Sequence, residues 1–254
     1  MPTVSVNGLR IAYATAGAGS PTVCLVHGTG GSSEVWRRQL EGLADLGHIV
    51  AVDLPGHGRS GGSIPKRIED AAALVAGFLD ALGVTRVIIG GHSMGGAIAQ
   101  QFALSFGERV DGLVLIGTGA RLRVLPRLLD LLATSHQEGV NQLMSLAVGA
   151  RAPAELRAAL HRSTAENPPG VVLGDLQACD VFDVMSGIST VQAPALVICG
   201  EEDQLTPPKY SGFLGQQIAG ARVVVVAGAG HYVQVEKPRE TTAAVREFMI
   251  RLRS

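Results

Sequence analysis

Gly91-His92-Ser93-Met94-Gly95-Gly96 is the stretch from which the fold of this 254-residue chain can be read. Residues 91–95 match G-x-S-x-G, and the pattern follows an apolar run, Arg86 to Ile89, and opens the helical segment Gly95 to Phe106. That strand–turn–helix context is what the pattern requires. A sharp turn from strand to helix puts the serine in a strained backbone conformation with its hydroxyl above the sheet. Side chains two positions to either side would collide with the turn, hence Gly91 and Gly95. The helix start behind Ser93 adds free N–H groups and positive potential, suited to a developing oxyanion. Ser93 is the candidate nucleophile.

Outward from this turn the chain alternates. Near-continuous apolar runs at Thr22 to Val26, His48 to Val52, Arg86 to Ile89, Gly112 to Ile116, Ala195 to Cys199 and Arg222 to Val226 suit strands buried on both faces. Asn7-Gly8 predicts an opening hairpin between Val4 to Val6 and Leu9 to Tyr13. Helical patterns lie between the runs. One is capped by Ser32 or Ser33 and stops at Gly47, a second spans Ile68 to Leu82, a third is Gly95 to Phe106, and a fourth is Pro238 to Leu252. Strand–helix alternation predicts an α/β fold with a doubly wound, mostly parallel sheet flanked by helices. Residues 121–192 break the rhythm. Helical stretches at Leu125 to Leu132, Gly139 to Val148 and Pro153 to Ser163, then the breaker Asn167-Pro168-Pro169-Gly170, predict a small helical insertion over the sheet. The core is therefore expected in residues 1–120 and 193–254.

Composition excludes several classes. With 46% hydrophobic and 17% charged residues the chain can bury a core. A net charge of −1 makes no electrostatic case for nucleic acid or an anionic membrane. No apolar stretch reaches the length of a membrane span, and no secretory leader is visible at the start. Cys24, Cys179 and Cys199 have no metal-like spacing and read as buried thiols. A cytoplasmic location is the expectation, with no cofactor and no metal. A homodimer is left open.

A serine hydroxyl needs a base, and the base needs an orienting carboxylate. Among seven histidines His231 stands out, because it follows the strand Arg222 to Val226 in the loop Ala227-Gly228-Ala229-Gly230-His231. Open α/β sheets carry their chemistry at such carboxyl ends. Glu201, Glu202 and Asp203 follow the strand Ala195 to Cys199 in the same way and are the candidate acids.

With these residues in hand, the sequence resembles the α/β-hydrolase fold family over essentially its whole length. His27-Gly28-Thr29-Gly30-Gly31 is similar to the family's oxyanion loop, and Asp53-Leu54-Pro55-Gly56-His57-Gly58-Arg59-Ser60 to its D-x-P-G-x-G-x-S turn. Gly200-x-x-Asp203 with Pro207, and Gly230-His231 with Glu236-Lys237-Pro238, look like its acid and histidine loops. The resemblance implies a triad of Ser93, Asp203 and His231. It implies oxyanion donors in the backbone N–H groups of Met94 and of Thr29, with Gly30 as the alternative to Thr29. It also makes the 121–192 insertion the family's cap, whose Leu125, Leu128, Met144 and Phe182 are expected at the substrate together with Tyr232. His27, His57 and Asp53 are expected to fix loops, His92 to pack against neighbouring strands, and Trp36 to pack helix on sheet.

The implied activity is hydrolysis of carboxylic esters of small to medium apolar substrates through an acyl-enzyme, an esterase or lactonase chemistry. The same triad could serve enol-lactone or C–C bond hydrolysis, a lyase or perhydrolase reaction, or a small-molecule receptor with little turnover. Arg121, Arg123 and Arg127 raise the further question of a carboxylate-bearing substrate.

Overall fold

The computed structural model describes residues 1–253. β1 (Thr3–Val6) and β2 (Leu9–Ala16) form the opening hairpin, and both turn residues adopt positive φ, 50° at Asn7 and 79° at Gly8. Next come β3 (Thr22–Val26), α1 (Arg37–Leu43), β4 (His48–Val52), α2 (Ile68–Ala81), β5 (Val87–His92), α3 (Met94–Ser105) and β6 (Val110–Ile116). Four helices follow without an intervening strand: α4 (Pro126–Thr134), α5 (His136–Ala147), α6 (Ala154–Ala165) and α7 (Val171–Asp180). The chain closes with β7 (Ala195–Gly200), α8 (Pro208–Gln217), β8 (Arg222–Val226), the single turn α9 (Val233–Glu236) and α10 (Pro238–Arg251). Helices α7 and α8 and the single turn α9 were not anticipated from the sequence.

The strands make one eight-stranded sheet in the order β1-β2-β4-β3-β5-β6-β7-β8. β1–β2 and β2–β4 are antiparallel, and every pairing from β4 to β8 is parallel. β3, β5, β6 and β7 lie inside this order, which explains their unbroken apolar runs. β8 differs from the expectation of burial on both faces. It is the edge strand, so Val223 and Val225 stay exposed while Val226 is buried.

Side chains leave a strand alternately to its two faces. In β3, Val23 and Leu25 join Trp36, Leu43 and Met249 on the side of α1 and α10, while Cys24 and Val26 join Phe78, Leu79 and Phe102 on the side of α2 and α3. Trp36 is fully buried there, as helix–sheet packing requires. Helices α4–α7 carry a smaller core of their own, in which Leu132, Val140, Leu160 and Val172 pack together. They form a cap inserted between β6 and β7.

The order of the strands positions the site. From β3 the chain steps outward to β4, then returns across β3 to β5 and proceeds the other way through β6, β7 and β8. The loops leaving β3 and β5 therefore run apart, and a crevice opens at this switch point. The loop after β3 is the one carrying Thr29, and the turn after β5 carries Ser93.

Candidate active site

Ser93 sits between β5 and α3 at φ 54° and ψ −116°, a conformation that side-chain-bearing residues rarely adopt. Packing holds it there. Its N–H donates to the Ile116 carbonyl on β6 at 2.9 Å, and its carbonyl accepts from the Thr118 hydroxyl at 2.9 Å and from the N–H groups of Gly96 and Ala97. The turn is so tight that a Cβ on Gly91 would overlap the Gly95 carbonyl, and one on Gly95 would overlap the Val26 carbonyl of β3. Both glycines are thus required by close backbone approach.

Ser93 and His231 line one cavity of about 310 Å³ beneath the cap. Behind His231, Nδ1 donates to Asp203 Oδ2 at 2.9 Å. Asp203 is buried and fully engaged. Its Oδ1 accepts from the N–H groups of Leu205 and Thr206, and its Oδ2 also accepts from the Thr206 hydroxyl at 2.8 Å. Burial alone would raise this carboxyl's pKa, but the His231 charge and hydrogen bond and the Thr206 donors outweigh it and hold the pKa below the usual value. Glu201 and Glu202 do other work. Glu201 accepts from the Gly228 N–H, and Glu202 accepts from the Ala150 N–H and pairs with Arg151 at 3.6 Å. No hydrogen bond joins the Ser93 hydroxyl to His231 among the described residues. Such contacts commonly tighten only when substrate binds.

The remaining histidines are spoken for. His27 Nδ1 donates to the Gly28 carbonyl and Nε2 accepts from the Leu54 N–H, which fixes the neutral tautomer. Burial and the His57 charge push its pKa down to about 3. His92 Nε2 donates to the His231 carbonyl at 2.9 Å, and burial and the charge on His231 hold its ring neutral. Asp53 bonds the N–H groups of Ser33 and Arg59 and so ties two loops together. A rival nucleophile, Cys179, lines the cavity, but burial pushes its thiol pKa far up, so no thiolate is available at neutral pH.

Thr29, in the loop after β3, and Met94, next to Ser93, are both buried, and neither side chain is among those lining the cavity. The Met94 N–H opens α3 and has no partner within the helix, and the Thr29 N–H has none among the described residues. The Gly30 N–H differs, since it donates to Asp175 Oδ2 of α7 at 2.8 Å. The same oxygen accepts from His57 Nε2 at 2.8 Å, while His57 Nδ1 donates to the Pro55 carbonyl at 3.1 Å. Both ring nitrogens of His57 thus face acceptors. Burial pushes its pKa down, but Asp175, the Pro55 carbonyl and the Asp53 charge together raise it above the ordinary value.

Of the expected substrate residues, Leu125 and Leu128 line the cavity, joined by Leu143, Leu146 and Leu176 of the cap. Three others do not. Met144 packs in the cap's own core, where its sulfur takes the Thr164 hydroxyl. Phe182 turns inward after α7 and is buried in the α2–α3 core with Ala178, because an aromatic ring gains more from that burial than from lining a hydrated cavity. Tyr232 stacks on His92 at 4.9 Å between ring centres. In their place stand Gln204, Leu205, Thr206 and Pro207 of the acid loop and Lys209 and Tyr210 of α8. Among the described residues no helix is long and apolar enough to cross a membrane.

Residues 25–245 match the model of the alpha/beta hydrolase family. The chain is 30% identical over 251 residues to a pimeloyl-acyl-carrier-protein methyl ester esterase of Pectobacterium carotovorum, covering 93% of this chain and 97% of that protein. It is also 30% identical over 270 residues to a 2-hydroxy-6-oxononadienedioate/2-hydroxy-6-oxononatrienedioate hydrolase of Burkholderia vietnamiensis, covering 96% of this chain and 92% of that one. A thermophilic esterase of known structure superposes with a TM-score of 0.89 at 32% identity, over 99% of this chain and 97% of its own. Sheet order, inserted cap and these matches agree: the chain belongs to the alpha/beta hydrolase family, among its enzymes of the carboxylic ester hydrolase, esterase–lactonase type.

Proposed function

We propose that the protein hydrolyses carboxylic esters of small to medium apolar substrates through an acyl-enzyme on Ser93. The observation that carries this reading is a strained, non-glycine Ser93 on the wall of a cavity that it shares with His231, itself backed by a buried Asp203 at 2.9 Å. Ser93 Oγ attacks the ester carbonyl while His231 Nε2 takes its proton. Asp203 fixes the tautomer that leaves Nε2 free to do so and stabilises the imidazolium. The oxyanion falls to the N–H groups of Met94 and Thr29, since the Gly30 N–H is already given to Asp175. The alcohol leaves with the proton from His231. A water activated by His231 then releases the acid and restores Ser93.

A fluorophosphonate tests the assignment. Stoichiometric labelling that maps to the peptide carrying Ser93, with parallel loss of esterase activity, is the expected result. Labelling on another residue removes Ser93 from the proposal.

Cavity volume supports small substrates. About 310 Å³ lies at the lower end of the roughly 300–1,000 Å³ range of small-molecule pockets, and its cap wall is largely leucine. A second reading, a substrate with a distal carboxylate, is favoured by one residue. Lys209 lines the cavity with its ammonium 5.9 Å from the centre of the Tyr210 ring and no acidic partner among the described residues. Arg123 also lines it but is held by the Asp180 carbonyl and by Asp183 at 3.7 Å, whereas Arg121 lies outside it and pairs with Asp183. The relative named for a dienedioate adds weight to this reading. Lys209→Ala is expected to raise KM for a carboxylated lactone about fivefold, the upper value of one exposed charge pair, and to leave a neutral p-nitrophenyl ester within twofold. Equal effects on both substrates would exclude the carboxylate reading.

A further inference from the structure

Asp175 has no place in the triad, yet it reaches from the cap into the catalytic core. It is the sole charged residue in the run Val171 to Cys179, is only 1% exposed, and spends one oxygen on both the Gly30 N–H and His57. The Gly30 carbonyl is held from the cap as well, by the Asn167 side-chain amide at 2.8 Å. Both backbone polar groups of Gly30, which lie in the two successive peptide units flanking its Cα, are therefore held by the insertion rather than by the sheet. Gly30 itself adopts φ +59°, and a Cβ there would press on Val172 of α7. The Thr29 N–H belongs to the preceding peptide unit, whose Gly28 carbonyl is held by His27 Nδ1 at 2.9 Å and by the Gly31 N–H at 3.0 Å, so the insertion bears on the loop from its Gly30 side.

We propose that Asp175 is a positioning residue: through Gly30 it sets the aim of the Thr29 N–H, so that the oxyanion site is complete only when the cap is seated. This rests on the reading of Ser93 and its oxyanion donors given above. The physical reason is the steep dependence of oxyanion stabilisation on donor placement. Losing one such donor costs about 10²–10³-fold in kcat, and the loss appears in the transition state and not in ground-state binding. The carboxylate also gives His57 its second acceptor, so the latch ties three segments, the oxyanion loop, the D-x-P-G-x-G-x-S turn and α7, through one atom.

The test uses the full chain, a p-nitrophenyl ester, a fluorophosphonate and a boronic acid that forms a tetrahedral adduct on a serine. Asp175→Ala, with folding checked by circular dichroism and Tm, is expected to lower kcat about 30-fold or more while KM stays within threefold. The boronic acid Ki should rise, and the rate of phosphonylation should fall, by a comparable factor. Asp175→Asn keeps an acceptor for the Gly30 N–H and should return to within about fivefold of the parent. Asn167→Ala, which releases the Gly30 carbonyl in the following peptide unit, should show the same pattern at about 5–10-fold. A folded Asp175→Ala with kcat within threefold overturns the proposal. So does a fall in kcat with an unchanged boronic acid Ki, which would make Asp175 a cap-packing residue. If Asp175→Ala does not fold, Asn167→Ala decides, and an unchanged kcat and Ki there overturn the proposal. Ser93→Ala run alongside separates the two readings: activity retained in that variant removes the nucleophile assignment, whatever the latch variants do.

Discussion

Ser93→Ala is expected to lower kcat by about 10⁴–10⁶-fold, the scale on which serine hydrolases lose turnover when the nucleophile is removed. What survives should be the part owed to binding and to the oxyanion donors, neither of which the substitution touches. Stability should barely change. Alanine also carries a Cβ, so the strain at φ 54° is the same in both proteins, and the backbone bonds to Ile116 and Thr118 remain. Steady-state turnover of a p-nitrophenyl ester, measured with Tm on the same preparation, checks both halves. A folded variant that keeps more than one hundredth of parent activity contradicts the mechanism.

Asp203→Asn should cost nearly as much, about 10⁴-fold in kcat, through a different cause. The carboxylate accepts from three donors on its own loop, the N–H groups of Leu205 and Thr206 and the Thr206 hydroxyl, besides His231. An asparagine that turns its oxygen to the Leu205 and Thr206 N–H groups presents its NH₂ to His231 Nδ1. That nitrogen must then accept, the proton moves to Nε2, and the ring can no longer take a proton from Ser93. Glu201→Gln and Glu202→Gln are the controls. Their carboxylates hold the N–H groups of Gly228 and Ala150, and each change is expected to alter kcat less than tenfold. Comparable losses in all three variants would mean that the acid loop acts through its total charge, not through Asp203.

The parts of the molecule governed by local rules were legible in the sequence. Asn7-Gly8 predicts a turn because both residues tolerate positive φ, and Gly91 and Gly95 bracket a serine where backbones nearly touch. The apolar runs of β3, β5, β6 and β7 predict strands because both faces are covered. The two longer of the missed helices escaped for identifiable reasons. α7 opens on two valines, contains Gly174 and is apolar on most sides, so neither propensity nor periodicity marks it. α8 contains Gly212 and Gly215, and the second is explained only by Val223 of the neighbouring strand, against which a Cβ would collide. The cavity wall was misread for a related reason. Apolar content points to the insertion, whereas Gln204 to Pro207, Lys209 and Tyr210 reach the site because the acid loop and α8 fold back toward it. Asp175 lies 145 positions from its Gly30 partner. A lone acid in an apolar run was the one local sign of it.

The cap is fastened to the core at both of its ends. On one flank Asp175 and Asn167 grip Gly30. On the other, the Ala147 carbonyl takes the His231 N–H at 2.8 Å, and Glu236 bridges the N–H groups of Gly149 and Gly230. This divides the insertion into two kinds of sequence. Ala147 to Ala150, Asn167 and Asp175 work as anchorage, whereas Leu125, Leu128, Leu143 and Leu146 line the cavity, with Leu128 and Leu143 also packing in the cap's own core. A designer who wishes to give this scaffold a new substrate can therefore treat the cap as an exchangeable cassette with fixed fasteners. Libraries confined to the four leucines should yield altered selectivity at high frequency, while wholesale cap transplants that omit the fasteners should yield folded proteins with a disordered catalytic centre.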